Sequence, residues 1–224
     1  MDFKKQTYAI QVSQFIKKMI QEGKLSPGDP VKENDLATFL SISRAPIREA
    51  LQILIQEGLI VSEPQKGKNI RVLSPKEIID GYTLTSILEG EGIILSLDKW
   101  TEEDNRDLLN ILKRMENRSK EVIDITELAE LDELFHNMLL SRCTNEQLVE
   151  NARRFASNIS KYLCHRYWKK SFDPSSFYSR HKKITDIFFT KEPEKIRKGI
   201  FNHYNELAVA ISKLVEKNQI KTIN

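Results

Sequence analysis

The chain has 224 residues, of which 30% are charged, 40% hydrophobic and 8% aromatic. This length is sufficient for a small domain of roughly 70 residues and a larger one of roughly 150. No apolar run approaches the ~20 residues that a membrane span requires, and residues 1–5 do not open a secretory signal. We therefore expect a cytoplasmic protein without membrane contact.

The net charge of +3 is unevenly distributed along the chain. Residues 1–74 carry 11 Lys and Arg against 8 Asp and Glu, whereas residues 75–224 carry 24 of each. An excess of positive charge in one part of a chain is typical of contact with phosphate groups. The split therefore favours nucleic acid as a partner of the first third.

Apolar spacing in the first third predicts three helices followed by two short strands. The first helix begins at Tyr8 and ends at Gly23, the second covers residues 35–40, and the third follows Ser43. The strands are expected over residues 59–62 and 69–72, around a basic turn. Three helices and such a hairpin form a winged helix-turn-helix, which is a DNA-binding architecture.

The third helix begins with two arginines and has an apolar opposite face. Arg44 and Arg48 are one turn apart, and Ser43 is placed to cap the first turn. Taken alone, this pattern is equally that of a surface helix with solvated arginines, but the elements around it favour major-groove reading. Glycine between lysines in the hairpin fits close approach to phosphates. The predicted DNA contacts are Ser43, Arg44, Ala45, Arg48, Lys66, Gly67 and Lys68.

Residues 7 to about 73 resemble the N-terminal domain of GntR-type bacterial transcription regulators. The matching residues are Pro27-Gly28, Glu33, Leu36-Ala37, Leu40, Ser43-Arg44, Pro46-Ile47-Arg48-Glu49-Ala50-Leu51, Leu54, Gly58-Leu59-Ile60 and Gly67. The resemblance implies that Arg44 and Arg48 contact bases or phosphates and that Lys66-Gly67 enters the minor groove. Ala45 departs from the family, where Thr, Ser or Gln is usual, so the operator sequence does not carry over.

The remaining residues, 74–224, predict six antiparallel helices that form a bundle. The helices are expected to begin near Ser74, Thr101, Asp124, Asn145, Ser175 and Pro193. The fourth is expected to continue unbroken to Trp168 and the sixth to about Asn218. The predicted fold class is thus mostly α, with a winged helix-turn-helix domain over residues 1–73 and an all-α antiparallel bundle over residues 74–224.

Histidines provide the candidate chemistry of this bundle. Asp132 and His136 are four residues apart, so they share one face of the third helix, while His181 and His203 lie on the fifth and sixth helices. One carboxylate and three imidazoles are able to bind a divalent ion such as Zn²⁺ or Ni²⁺. Spacing alone leaves open a surface pair and separately hydrogen-bonded histidines.

The bundle is similar to the FCD effector domain, which follows this DNA-binding domain in the FadR-like branch of the family. The similarity lies in Asp132-x-x-Phe135-His136, Asn145-x-x-Leu148, His181-x-x-Ile184 and His203. It implies that Asp132, His136, His181 and His203 bind a metal beside a small organic acid, and six helices suggest the shorter, VanR-like version. Many relatives carry an arginine for the acid at the position of Thr85. The candidate effector-binding residues here are Thr85, Arg153, Arg154 and Arg166.

Together these patterns indicate a metal-containing, ligand-responsive regulator that acts as a repressor in the bacterial cytoplasm. We expect a homodimer on a palindromic double-stranded DNA operator, because two-fold symmetric proteins bind two-fold symmetric sites. Two alternatives stay open at this point. One is a DNA-binding dimer with a vestigial or purely structural metal site, and the other is a metal-dependent hydrolase, since such a ligand set can also activate water.

Overall fold

The structure, a computed structural model, describes residues 7–65, 67–120, 125–171 and 173–223. The chain divides into two compact units between Leu73 and Ser74. Most of the described residues are helical, and the two strands among them form one sheet. Across these same residues, no helix combines the length and the apolar character needed to cross a bilayer. Lys66 and Asp124, which carried two of the predictions, lie outside the described residues.

The first unit contains the three predicted helices and the hairpin. The elements are α1 (Tyr8–Gln21), α2 (Glu33–Leu40), α3 (Arg44–Gln56), β1 (Ile60–Glu63) and β2 (Gly67–Ile70). Apolar side chains from all three helices and the hairpin meet in one core. Because α3 buries its apolar face in this core, its opposite face is turned toward solvent. The most completely buried members of this core are Ile16, Ile47, Ala50, Leu51, Leu54, Leu59 and Ile70.

The predicted bounds of the two strands were wrong by one or two residues. In the structure, the antiparallel pairing runs from Ile60 opposite Ile70 to Glu63 opposite Gly67. Gln65 has a left-handed φ of 65°, so the chain turns immediately after the first strand. Gly67 consequently belongs to the second strand, which begins earlier than the alternation of apolar residues indicated.

The second unit is helical throughout its described residues. Its elements are α4 (Pro75–Ser96), a 3₁₀ turn (Leu97–Lys99), α5 (Glu102–Arg118), α6 (Ile125–Leu139), α7 (Glu146–Arg153), a π-helical segment (Arg154–Ser160), α8 (Lys161–Leu163), α9 (His165–Ser171), α10 (Pro174–Phe188) and α11 (Pro193–Ile223). α4 and α5 begin next to Ser74 and Thr101, as predicted, and each starts with a capping box. α4 packs most extensively against α11, and these two helices support much of the bundle.

The predicted unbroken fourth helix was wrong, because its middle part, Arg154–Ser160, is π-helical. The interruption accompanies two contacts with α4. The ring of Phe155 lies against Gly81, where an added Cβ would come within 2.3 Å of the ring. The hydroxyl of Ser160 is hydrogen-bonded to that of Tyr82. Because both partners lie far away along the chain, the local pattern of the helix does not reveal them.

Candidate metal centre and DNA-binding surface

Asp132, His136, His181 and His203 come together inside the second unit. The first two lie on α6, and the others lie on α10 and α11. One ligand atom from each residue can be chosen so that all four lie within 4.8 Å of one another. The three histidines are buried, and the Asp132 side chain is 22% exposed. The structure thus brings together all four predicted ligands, with the carboxylate nearest to solvent.

A buried carboxylate behind His136 orients its ring. Nδ1 of His136 lies 2.7 Å from Oε1 of Glu89, which is only 2% exposed on α4. The other oxygen of Glu89 accepts a hydrogen bond from the Tyr204 hydroxyl at 2.8 Å. With Nδ1–H donating to Glu89, the lone pair of Nε2 faces the cluster. A carboxylate in this position is the usual partner of a metal-bound imidazole.

His181 is held in the same sense by the backbone. Its Nδ1–H donates to the Phe177 carbonyl at 2.7 Å, and its Nε2 lies 3.0 Å from Oδ1 of Asp132. The backbone carbonyl therefore fixes the tautomer in which Nε2 is available as a ligand. Both ring nitrogens that face Asp132 are Nε2 atoms, since Nε2 of His136 lies 3.8 Å from the same oxygen.

Burial lowers the pKa values of the histidines in the cluster, whereas the carboxylates of Glu89 and Asp132 raise those of the histidines that they contact. Burial disfavours the imidazolium of His136, but the charge and hydrogen bond of Glu89 outweigh it and raise the pKa of His136. Burial lowers the pKa of His181 and takes the pKa of His203 well below its usual range. Burial alone would raise the pKa of Asp132, but the hydrogen bond from His181 and the nearby charges of His136, His181 and Arg180 together outweigh it and lower that pKa. His181 and His203 are thus kept neutral, the form that binds metals.

The unsatisfied nitrogens of the cluster fit a bound cation. Nε2 of His136 and Nδ1 of His203 are buried and have no hydrogen-bond partner within the described part of the chain. A buried polar atom without a partner costs about 1–3 kcal/mol, which a metal ion would relieve. Three imidazoles and one carboxylate form a donor set that suits Zn²⁺ or Ni²⁺.

The four predicted effector-binding residues lie in different environments. Thr85 is buried on α4, one turn before Glu89, and its hydroxyl has no hydrogen-bond partner in the described residues. Arg153 is half-buried and donates to the Asn137 carbonyl at 3.4 Å. Arg154 and Arg166 are exposed.

Sequence reasoning missed Arg180 and Glu89. The Arg180 side chain is 14% exposed and donates through Nη2 to the backbone carbonyl of His203 at 2.6 Å. Its charge helps to lower the pKa values of Asp132 and His203 and opposes the rise in the pKa of His136. The available hint for Glu89 was its place in the mainly apolar second half of α4, which it shares with Glu91. The only hint for Arg180 was that it immediately precedes His181.

Five of the seven predicted DNA-binding residues are exposed in the first unit, whereas Lys68 is half-buried. Ser43, Arg44, Ala45 and Arg48 are all exposed at the N-terminal end of α3. The prediction that the Ser43 side chain caps the helix was wrong: Ser43 is the N-cap residue, but its hydroxyl makes no capping hydrogen bond and stays available to a ligand. Gly67 is exposed with a φ of 79°, a conformation that favours glycine.

Glu33 connects α3 with the hairpin. Its carboxylate accepts from Nζ of Lys68 at 2.9 Å and from Nε of Arg48 at 3.4 Å. Lys68, as the main partner, lowers the pKa of Glu33. Nη1 of Arg44 donates to the neighbouring Asn34 side chain at 3.1 Å. The start of α2 therefore holds all three cations on one side of the unit.

Comparisons with known proteins agree with this arrangement. Residues 9–70 match the family described as "Bacterial regulatory proteins, gntR family", and residues 80–206 match the FCD domain. The HTH-type transcriptional regulator YdhC of Bacillus subtilis is 25% identical over 215 residues, which are 95% of this chain and 94% of that protein. The HTH-type transcriptional repressor RspR of Escherichia coli is 23% identical over 218 residues, 93% of this chain and 90% of that one.

A solved structure has the same fold. The structure of E. coli McbR/YncC has a TM-score of 0.74 at 17% identity, covering 94% of this chain and 99% of that chain. The two family matches together span most of the sequence and place a DNA-binding unit before an effector unit. The matched family and the two named sequence relatives are transcription regulators, which excludes the hydrolase alternative. The chain therefore belongs to the GntR family of bacterial transcription regulators, in the FadR-like branch that carries an FCD domain.

Proposed function

We propose that this protein is a metal-assisted sensor of a small organic acid that represses transcription from a palindromic operator. Residues 1–73 are the DNA-binding domain, and residues 74–224 are the effector-binding and dimerisation domain. The observation that carries the sensing role is the buried cluster of Asp132 and three histidines, two of whose ring nitrogens have no partner in the described structure. Repression is supported by the relative named a repressor.

The DNA-binding role rests on the exposed end of α3 and the adjacent strand β2. Arg44 and Arg48 extend from one side of the helix and reach base edges when it enters a major groove. Lys66, Gly67 and Lys68 contact the phosphate backbone beside it. In the complex, a DNA phosphate replaces the Glu33 carboxylate as the partner of Arg48 and Lys68. A protein that binds operator DNA acts at the chromosome, in the bacterial cytoplasm.

A homodimer is supported by an apolar stripe on α4. Leu84, Ile87 and Leu95 lie on one side of the helix and are 53–56% exposed. Large aliphatic side chains exposed along one side of a helix are typical of a protein interface. Glu91, which lies between Ile87 and Leu95 on this side, pairs with Arg197 of α11. We propose that a second copy of the chain covers this stripe, since a palindromic operator requires two recognition helices.

The dimer is tested by analytical ultracentrifugation of Ile87→Glu. This variant should sediment as a monomer and lose affinity for the operator, because a charge would be buried in the interface. Leu109→Glu, at a comparably exposed leucine of α5, is the matched control and should remain dimeric. A dimeric Ile87→Glu protein with normal operator binding would contradict this assignment of the interface.

Asp132, His136, His181 and His203 would hold the metal, with Glu89 and the Phe177 carbonyl orienting two of the rings. A divalent ion supplies positive charge and open coordination positions for an anionic ligand. Thr85 offers a buried hydroxyl one turn from Glu89, and Arg153, Arg154 and Arg166 remain further candidates for contact with the effector. The residues themselves position the ligand and keep the site away from bulk water.

Release from DNA tests this proposal directly. The protein is bound to a fragment of its own promoter and titrated with a panel of small organic acids, with and without prior removal of metal by a chelator. We expect at least one acid to weaken operator binding in the metal-loaded protein and to have no effect on the stripped protein. Equal responses in both preparations would favour the alternative, in which the metal site is vestigial or purely structural.

A further inference from the structure

Arg180 occupies an unusual position at the edge of the metal cluster. It lies on α10 directly before His181, and its guanidinium donates to the backbone carbonyl of His203 on α11 at 2.6 Å. Its Nε also lies 3.3 Å from the carboxylate of Glu206, one turn further along α11. Arg180 therefore bonds to the backbone of one predicted ligand and adjoins another in sequence.

The two members of the Arg180–Glu206 pair differ in exposure. The Arg180 side chain is 14% exposed, whereas that of Glu206 is 55% exposed. Moving the Glu206 carboxylate fully into water would cost little desolvation energy, but the buried guanidinium must keep an anionic partner. The pair is thus suited to exchange one carboxylate for another.

The charges around the cluster favour a ligand with one negative charge. The carboxylates of Asp132 and Glu89 together offset a divalent ion, which leaves the positive charge of Arg180. In the structure, Glu206 offsets that charge from the surface. A small carboxylate that bound to the ion and to Arg180 would offset this charge equally well.

We propose that Arg180 is the anion anchor of the effector site and that Glu206 is the intramolecular carboxylate that the effector displaces. The inference rests on the proposed sensing function and specifies its ligand class as a small monocarboxylate. Because the Arg180–Glu206 pair connects α10 with α11, an effector that breaks this pair would also change the contact between the two helices. A planar guanidinium can bind a carboxylate through two parallel hydrogen bonds, which gives orientation as well as charge.

The test uses the full-length protein loaded with Co²⁺, whose visible absorption reports changes at the ion. Acetate is the probe, and acetamide is its uncharged counterpart. Acetate should shift the Co²⁺ bands of the wild type, whereas acetamide should not. Arg180→Met should raise the apparent dissociation constant for acetate at least tenfold, and Glu206→Gln should lower it several-fold because the competing carboxylate is gone. Lys182→Met, an exposed cation of the same helix, is the control and should match the wild type.

Co²⁺ content separates anchoring from a structural role. Arg180→Met and Arg180→Lys should both retain the wild-type content, with acetate affinity in Arg180→Lys between those of the wild type and Arg180→Met. The proposal is overturned if Arg180→Met binds acetate like the wild type, if both Arg180 variants lose Co²⁺, or if Glu206→Gln binds acetate more weakly. A wild type that takes up no Co²⁺ would overturn the sensing function together with this inference, whereas the other outcomes affect this inference alone.

Discussion

Replacing Glu89 by glutamine probes the orientation of the metal ligands with a minimal change of volume. Two donors, Nδ1–H of His136 and the Tyr204 hydroxyl, converge on the two oxygens of the Glu89 carboxylate at 2.7 and 2.8 Å. An amide offers one acceptor oxygen and one donor NH₂ group. In Glu89→Gln, the hydrogen of either His136 Nδ1 or the Tyr204 hydroxyl must therefore point at the NH₂ group of the glutamine. If His136 adapts, its proton moves to Nε2 and blocks the lone pair that faces the cluster.

The expected magnitude follows from this mismatch. Loss of a carboxylate partner behind a metal-bound imidazole typically lowers metal affinity by 10–100-fold, or about 1.4–2.7 kcal/mol. We expect a loss of that order for Zn²⁺ in Glu89→Gln, measured by competition with a chromogenic chelator. Tyr204→Phe removes only one donor and leaves the carboxylate, so its effect should be smaller.

The matched control is Glu91→Gln, two residues further along α4. Glu91 is partly exposed and pairs with Arg197, whereas Glu89 is buried and contacts His136. Its variant should bind Zn²⁺ like the wild type. Equal Zn²⁺ affinity in Glu89→Gln, Glu91→Gln and the wild type would refute the argument that Glu89 fixes the tautomer of His136.

Three further predictions concern DNA binding and stability. Arg48→Ala should weaken specific operator binding by about 1–3 kcal/mol in footprinting titrations; wild-type affinity would contradict the placement of α3 in the groove. Gly92→Ala should lower the free energy of unfolding by about 1–3 kcal/mol in urea titrations, because the new Cβ would lie 2.6 Å from Leu140; an unchanged midpoint would contradict this. The pKa of Asp104 is lowered to about 2, chiefly by hydrogen bonds from Arg142, so its stabilisation is complete above about pH 4 and is lost as the pH falls toward 2. Asp104→Asn should therefore destabilise the protein by about 2 kcal/mol or less at pH 7, since Arg142 is half-exposed and screened by solvent, and by much less at pH 2.

Most helix starts could be predicted from the local sequence, because capping depends on residues within one turn of the helix start. Ser74 and Thr101 each precede an acidic residue at the third helical position, and both form the capping boxes that this spacing predicts. The π-helical interruption could not be predicted in the same way. It accompanies the contact of Phe155 with Gly81, which joins two helices that are distant along the chain.

The candidate metal ligands were predictable only in part from helix geometry. The four-residue spacing placed Asp132 and His136 on one face and made His181 and His203 candidates on two other helices, but the resemblance to the FCD domain was needed to favour one site over separate histidines. Spacing carries no information about Glu89, which reaches His136 from 47 positions away. Such long-range partners depend on how α4 packs in the bundle.

The most direct test of the central claim measures metal content and operator binding on the same preparations. Wild type, His181→Ala and His203→Ala are analysed for metal after purification and titrated with the promoter fragment, with and without an effector found in the acid screen. We predict about one divalent ion per chain in the wild type, none in either variant, near-normal operator binding by all three, and a response to effector in the wild type alone. A metal-free wild type, or variants that respond fully to the effector, would contradict the claim that a metal ion organises the sensing site.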